Sequence, residues 1–325
     1  MASDRGTHEP PATLEGSTEA EAVAAPGAVA AERSRREAMW NVLVSGSDPR
    51  AVRPDVLSAV GLRPHQTVQG IFRDKEHTAP IAPPHGITLS VLHTGRSYDD
   101  AFDDEGGSYR YPVTNRAGRD RAEIEATKNA GRLRMPVFVV LRGVATNLRE
   151  IRKGWVADWN DEAGAFLISF ATAPVETRVK EGQEFSLRGV RRAVRSVVGR
   201  PRPGQARFRF EVFRRYGVRC ALCPVAVSEL LEAVHLCAVS EGGTDDSRNG
   251  LVLCRNHHRA LDEGLVTFEP GTGRVICRRK GPTASQLGIL MGSLGELPAQ
   301  PHADAVLWSF SRFVRANGTS GHGDA

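Results

Sequence analysis

Four soft metal ligands in two short pairs, Cys220-x-x-Cys223 and Cys254-x-x-His257, constrain this chain more than any other feature. A pair on a tight turn and a pair on the first turn of a helix can converge on one tetrahedral zinc with Cys₃His ligation. Such a site is worth ~10 to 16 kcal/mol of metal-dependent folding. The enclosed segment, Pro224 to Leu253, is too long for a simple finger and holds its own strand, Gly/Asp/Asn turn and strand. The expected unit is therefore a zinc-stapled ββα fold. Five cysteines, at 220, 223, 237, 254 and 277, are an odd number, which favours reduced thiols and metal over a disulfide framework. Cys237 and Cys277 lack matched partners and read as core or incidental.

His258 follows His257 directly. Consecutive helical side chains are turned about 100° apart, so a helix that aims His257 at the zinc aims His258 elsewhere. The zinc frames His235 on the first strand, Asn249 at the turn into the second, and His258 on the helix. Asp262, four residues beyond His258, shares its helical face. It reads either as a ligand, or support for a ligand, of a second cation or as a helix-end carboxylate.

The stretches "CALC", "LEAVHL", "EGGTDDSRNGLVLC" and "RNHHRALD", within about Arg219 to Leu265, resemble the HNH nucleases, the ββα-metal endonucleases, and specifically their zinc-stapled, McrA-like branch. The resemblance implies that His235 is the general base that activates water, that Asn249 orients the loop beside it, and that His258 binds a divalent cation, Mg²⁺ or Mn²⁺. A neutral-pH imidazole base and a hard cation suit phosphodiester hydrolysis. Where many HNH sites carry an aspartate ligand just before the first histidine, this chain has Val234.

The formal net charge is only +5, but residues 188–219 hold eleven arginines against the single acid Glu211. Arg191, Arg192, Arg195, Arg200 and Arg202 are the expected phosphate contacts of this strip; the plainer reading is a solvated linker. The N-terminus lacks a basic start followed by an apolar core, and no run approaches the ~20 apolar residues of a membrane span, so a cytoplasmic protein without membrane contact is expected.

A length of 325 residues suggests roughly two domains plus tails. Residues 1–36, rich in Ala, Glu, Pro and Gly, read as a disordered tail; 37–174 as a mostly β unit with a hairpin around "NDEAG"; 175–206 as an arginine-rich linker. Residues 207–280 form the zinc unit, and 281–325 a C-terminal helix and tail.

Within the first half, "TVQGIF", "HGITLSVLHTGRSYDDAFDDEGGSYRYP", "TNRAG" and "MPVFVVLRG", spanning about Gly61 to Phe170, resemble the SRA domain. That resemblance implies a PUA-like β-barrel that recognises modified cytosine in double-stranded DNA by flipping it out. A flipped-base pocket needs aromatic faces and an acceptor for the exocyclic amine. Tyr98, Asp100, Tyr109 and Tyr111 supply those types, and three of the chain's four tyrosines fall here. The glycine-rich segment that usually follows the second tyrosine is absent.

The expected whole is an α+β chain: an SRA/PUA-like β-barrel reader followed by a zinc-stapled HNH nuclease, together a modification-dependent DNA endonuclease. Two rivals stand beside it: a methylated-DNA adaptor with an inactive HNH fold, and an HNH nuclease indifferent to modification. One buried methyl group is worth only ~1 to 3 kcal/mol. Cleavage is therefore expected to need two modified cytosines or two bound chains, as in a homodimer.

Overall fold

A computed structural model describes residues 25–62, 70–93, 101–114, 116–174, 184–189 and 204–318. The N-terminal unit runs through α1 (Pro26–Gly46), α2 (Pro54–Ala59), β1 (Ile71–Arg73), α3 (Lys75–Thr78), β2 (Thr88–His93), β3 (Ala101–Phe102) and β4 (Gly106–Arg110). It continues with α4 (Ala117–Arg132), β5 (Pro136–Arg142), β6 (Arg149–Asn160) and β7 (Ala165–Ser169). Its strands form one seven-stranded sheet in the order β1-β2-β5-β6-β7-β4-β3.

The sequence "PVFVVL" of β5 is continuously apolar because both of its faces are covered. Val137 and Val139 join one core, with Ala130 of α4, while Phe138 and Val140 join another, with Leu43 of α1 and Leu57 of α2. This alternation is the period of a strand buried twice. The expected hairpin is present: β6 and β7 pair antiparallel, from Trp155↔Ser169 to Asn160↔Ala165. Gly164 takes the left-handed φ of +59° at the turn.

Three expectations for this half are corrected. The closed β-barrel is not formed: among the described residues the sheet is open, with β1 and β3 at its edges. The sheet curls enough for the Tyr109 hydroxyl on β4 to donate to the Leu92 carbonyl on β2 at 3.3 Å, but helices cover both faces and, among the described residues, no ladder joins the edges. Nor is the unit mostly β. Helix α4 is so polar that its short buried stripe, including Ala126 and Ala130, was not legible as a core face. Finally, the tail does not extend to residue 36. Helix α1 begins with Pro26 at its first turn and docks through a fully buried Arg36, which donates to the carbonyls of Thr88 and Pro136 and pairs with Glu32 at 2.7 Å. Ala, Glu and Arg resemble a solvated tail in composition, yet they are also strong helix formers. Residues 1–24 lie outside the described residues.

The C-terminal unit contains α5 (Gln205–Tyr216), β8 (Leu231–His235), β9 (Gly250–Cys254), α6 (Arg255–Asp262), β10 (Val266–Phe268), β11 (Val275–Cys277) and α7 (Ala303–Asn317). β8 and β9 form an antiparallel hairpin with His235 opposite Gly250. A Cβ on Gly250 would come within 2.8 Å of Phe208 and Val212, so glycine there lets α5 lie close beneath the hairpin. The chain after residue 280 is no mere appendage: Ile289, Leu294, Ala305 and Val306 share the core of this unit with Phe208, Leu251 and Phe268. None of the described helices is long and apolar enough to cross a membrane.

Candidate nuclease site and metal centre

The turn carrying Cys220 and Cys223 is tied to β9 by the Ala221 N–H, which donates to the Val252 carbonyl at 2.8 Å. Cys254 ends β9 and caps the start of α6, which places His257 on the first turn of the helix. The four donor atoms of Cys220, Cys223, Cys254 and His257 lie within 4.8 Å of one another, and all four residues are buried. His257 Nδ1 is 3.3 Å from Cys220 Sγ and 3.2 Å from Cys254 Sγ, and Cys223 Sγ is 3.9 Å from Cys254 Sγ. Zinc bonds of ~2.3 Å to sulfur and ~2.0 Å to nitrogen set tetrahedral donors about 3.5 to 3.8 Å apart, close to these spacings.

The tautomer fits as well. His257 Nε2 lies 3.1 Å from the Leu287 carbonyl, which can only accept, so Nε2 carries the proton and Nδ1 turns its lone pair toward the sulfurs. Burial pushes the Cys220 thiol up to about 12 and raises that of Cys223. Without a cation the Cys220 and Cys223 sulfurs keep their protons; a bound metal would take them as thiolates. This cluster can hold a zinc-type ion.

His258 faces away from it, as the helical angle requires. Its Nδ1 lies 2.6 Å from Glu232 Oε2, and its Nε2 lies 3.3 Å from Asp262 Oδ2. The two ring nitrogens point in diverging directions, so a cation at either one has a single carboxylate already beside it. Val234 is buried, and no ligand comes from that position.

His235 is held on two sides. Its ring stacks on Phe208, with centroids 3.6 Å apart and planes 10° from parallel, and its Nε2 lies 2.9 Å from Asp245 Oδ1. Asn249 is fully buried. Its Oδ1 accepts from the Cys237 N–H, and its Nδ2 donates to the carbonyls of Cys237 and Thr244. That side chain clamps both ends of the loop that leaves His235 and returns with Asp245. A cleft beside these groups is lined by His235, Leu261, Asp262, Gly264, Arg312 and Phe313, among others.

The structure thus gathers Cys220, Cys223, Cys254 and His257 into one cluster, and brings His235 and Asp262 to a common cleft with His258 beside Asp262. Glu232 and Asp245 were missed by sequence reasoning. Glu232 carried a weak signal, as a carboxylate on the strand facing the metal helix; Asp245 carried none beyond its place in an acidic turn.

The expected base-binding residues fare differently. Tyr98 and Asp100 lie outside the described residues, as do Arg191, Arg192, Arg195, Arg200 and Arg202 of the arginine strip. Tyr109 and Tyr111 are both buried in the sheet's core. Tyr111 packs on Phe166 with ring centroids 4.5 Å apart, and its hydroxyl donates to Asp161 at 2.8 Å.

Residues 220–269 match the model of a family described as HNH endonuclease. No curated protein matches the chain. Among solved structures, a "Modification dependent TagI restriction endonuclease" superposes with 16% sequence identity over 82% of this chain and 93% of that one, at a TM-score of 0.37. A likeness that loose carries no argument about fold or substrate. The zinc-type cluster and its hairpin lie within the stretch that matches the HNH endonuclease family.

Proposed function

We propose that this protein is a modification-dependent endonuclease that cuts double-stranded DNA carrying modified cytosine, with its hydrolytic site in the cleft between β8, α6 and α7. The observation that carries the nuclease half is the pairing of a closed Cys₃His cluster with an open cleft reached by His235 and Asp262 within one HNH domain.

In this reading His235 is the general base. Asp245 at Nε2 and Phe208 against the ring leave Nδ1 as the atom that takes the proton from water. The water oxygen attacks phosphorus, and the bond from phosphorus to the leaving sugar oxygen breaks. Asn249 keeps the loop bearing Asp245 in register with His235. His258 Nε2 and Asp262 would hold Mg²⁺ or Mn²⁺ on the cleft side, with Glu232 at Nδ1 fixing the ring, a carboxylate–histidine–metal arrangement. When bound, that cation supplies Lewis-acid stabilisation of charge on the phosphate. The Cys220, Cys223, Cys254 and His257 cluster would hold Zn²⁺ as a staple.

Support for modification dependence comes from the sequence of the N-terminal half, where Tyr98 and Asp100 are the remaining candidates for base contact. The arginine strip would track the phosphates. The burial of Tyr109 and Tyr111 favours a second reading, an HNH nuclease indifferent to modification. Digesting one plasmid with none, one or two modified cytosine sites separates the two. Cleavage that rises with modification and is strongest with two sites supports the first; equal rates on all three forms refute it.

A further inference from the structure

We propose that Arg312 of α7, outside the stretch matched by the HNH model, is a catalytic residue that contacts the scissile phosphate; the inference rests on the endonuclease reading above. Helix α7 lays a buried stripe of Ala305, Val306, Ser309 and Phe313 into the nuclease unit. Asn317 Nδ2 anchors its end on the Gly264 carbonyl at 3.2 Å. Arg312, at the edge of this stripe, is turned into the cleft that also reaches His235 and Asp262.

Charge decides what a guanidinium does there. Asp262 and Glu263 make the cleft wall acidic, which opposes an incoming phosphodiester, and Arg312 is the only lysine or arginine among the described residues that line it. The arginines of α6 are matched by carboxylates: Arg255 by Glu232 at 3.2 Å, and Arg259 by Glu263 at 2.6 Å. Arg312 instead donates through Nη2 to the backbone carbonyl of Asp262 at 2.7 Å, and no carboxylate pairs with it among the described residues. One donor therefore fixes the guanidinium at the negative end of α6. The rest of its fork of N–H groups is suited to phosphate oxygens.

The plainer role, a cap on the last turn of α6, needs the donor but not the charge. Glutamine keeps a donor amide without the charge, and lysine keeps the charge without the fork. Full-length wild type, Arg312→Gln and Arg312→Lys are compared in single-turnover cleavage of the plasmid form that wild type cuts best, with Mn²⁺. Melting temperature, zinc content and plasmid affinity in Ca²⁺ are measured in parallel. Arg312→Gln should cleave about a hundredfold more slowly, with melting, zinc and affinity close to wild type, while Arg312→Lys stays within about tenfold of wild type. Arg312→Gln cleaving at the wild-type rate overturns the proposal, as does slowing of both variants in step with a lowered melting temperature, which would assign the cap alone. A wild type inert on every plasmid form would overturn the endonuclease reading itself, and the proposal with it.

Discussion

His257 and His258 are adjacent in the chain yet belong to opposite kinds of site. Around His257 every donor is buried and committed: sulfur on one side of the ring, the Leu287 carbonyl on the other. His258 is partly exposed between two carboxylates, and His235 sits between Asp245 and Phe208 with a cleft opening beside it. A closed site uses its geometry to hold the chain together; an open one keeps directions free for water and substrate. The 100° turn between consecutive helical residues is enough to separate the two within a single peptide unit.

The hardest test of this contrast removes the staple. Cys254→Ser should lose the zinc and with it most of the ~10 to 16 kcal/mol of metal-linked folding, abolishing the cooperative melting of the nuclease unit. Metal analysis and thermal melting check it, and a zinc-free protein that stays folded and active would break the distinction.

His235→Ala should cut cleavage by about a hundred- to ten-thousandfold while zinc content and DNA affinity hold, since the ring stacks on Phe208 without closing the metal frame. Gel-shift and cleavage assays on one preparation decide it.

Exchanging the neighbours sharpens the comparison further. His257→Ala should release zinc and lower the melting temperature, whereas His258→Ala should keep both and lose metal-dependent cleavage. If the phenotypes come out reversed, the two rings have been assigned to the wrong sites.

The mildest expected effect is that of Glu232→Gln, which keeps a hydrogen-bonding side chain opposite His258 Nδ1 but removes the charge. It should raise the Mn²⁺ concentration needed for half-maximal cleavage by about ten- to a hundredfold. An unchanged titration would exclude Glu232 as the support of the catalytic cation.

Much of the nuclease unit was legible because its signals are local. Ligand pairs at x-x spacing, an Asn-Gly turn between apolar runs and the 100° helical step all act over a few residues, and they sufficed to frame the cluster and to separate the two histidines. The hairpin from β6 to β7 was legible for the same reason. Other features depend on segments that meet only on folding. Arg36 docks across 52 residues onto the Thr88 carbonyl, and Arg312 reaches the end of α6 from 50 residues further on. Nothing in local composition distinguishes such arginines from solvated ones. The burial of Tyr109 and Tyr111 has the same origin: aromatic spacing in a loop specifies side-chain types, but the curl and pairing order of seven strands decide which way those rings face. Short-range geometry is written into residue spacing, while burial and charge matching arise from the convergence of distant elements, whose free energy no single stretch of the chain contains.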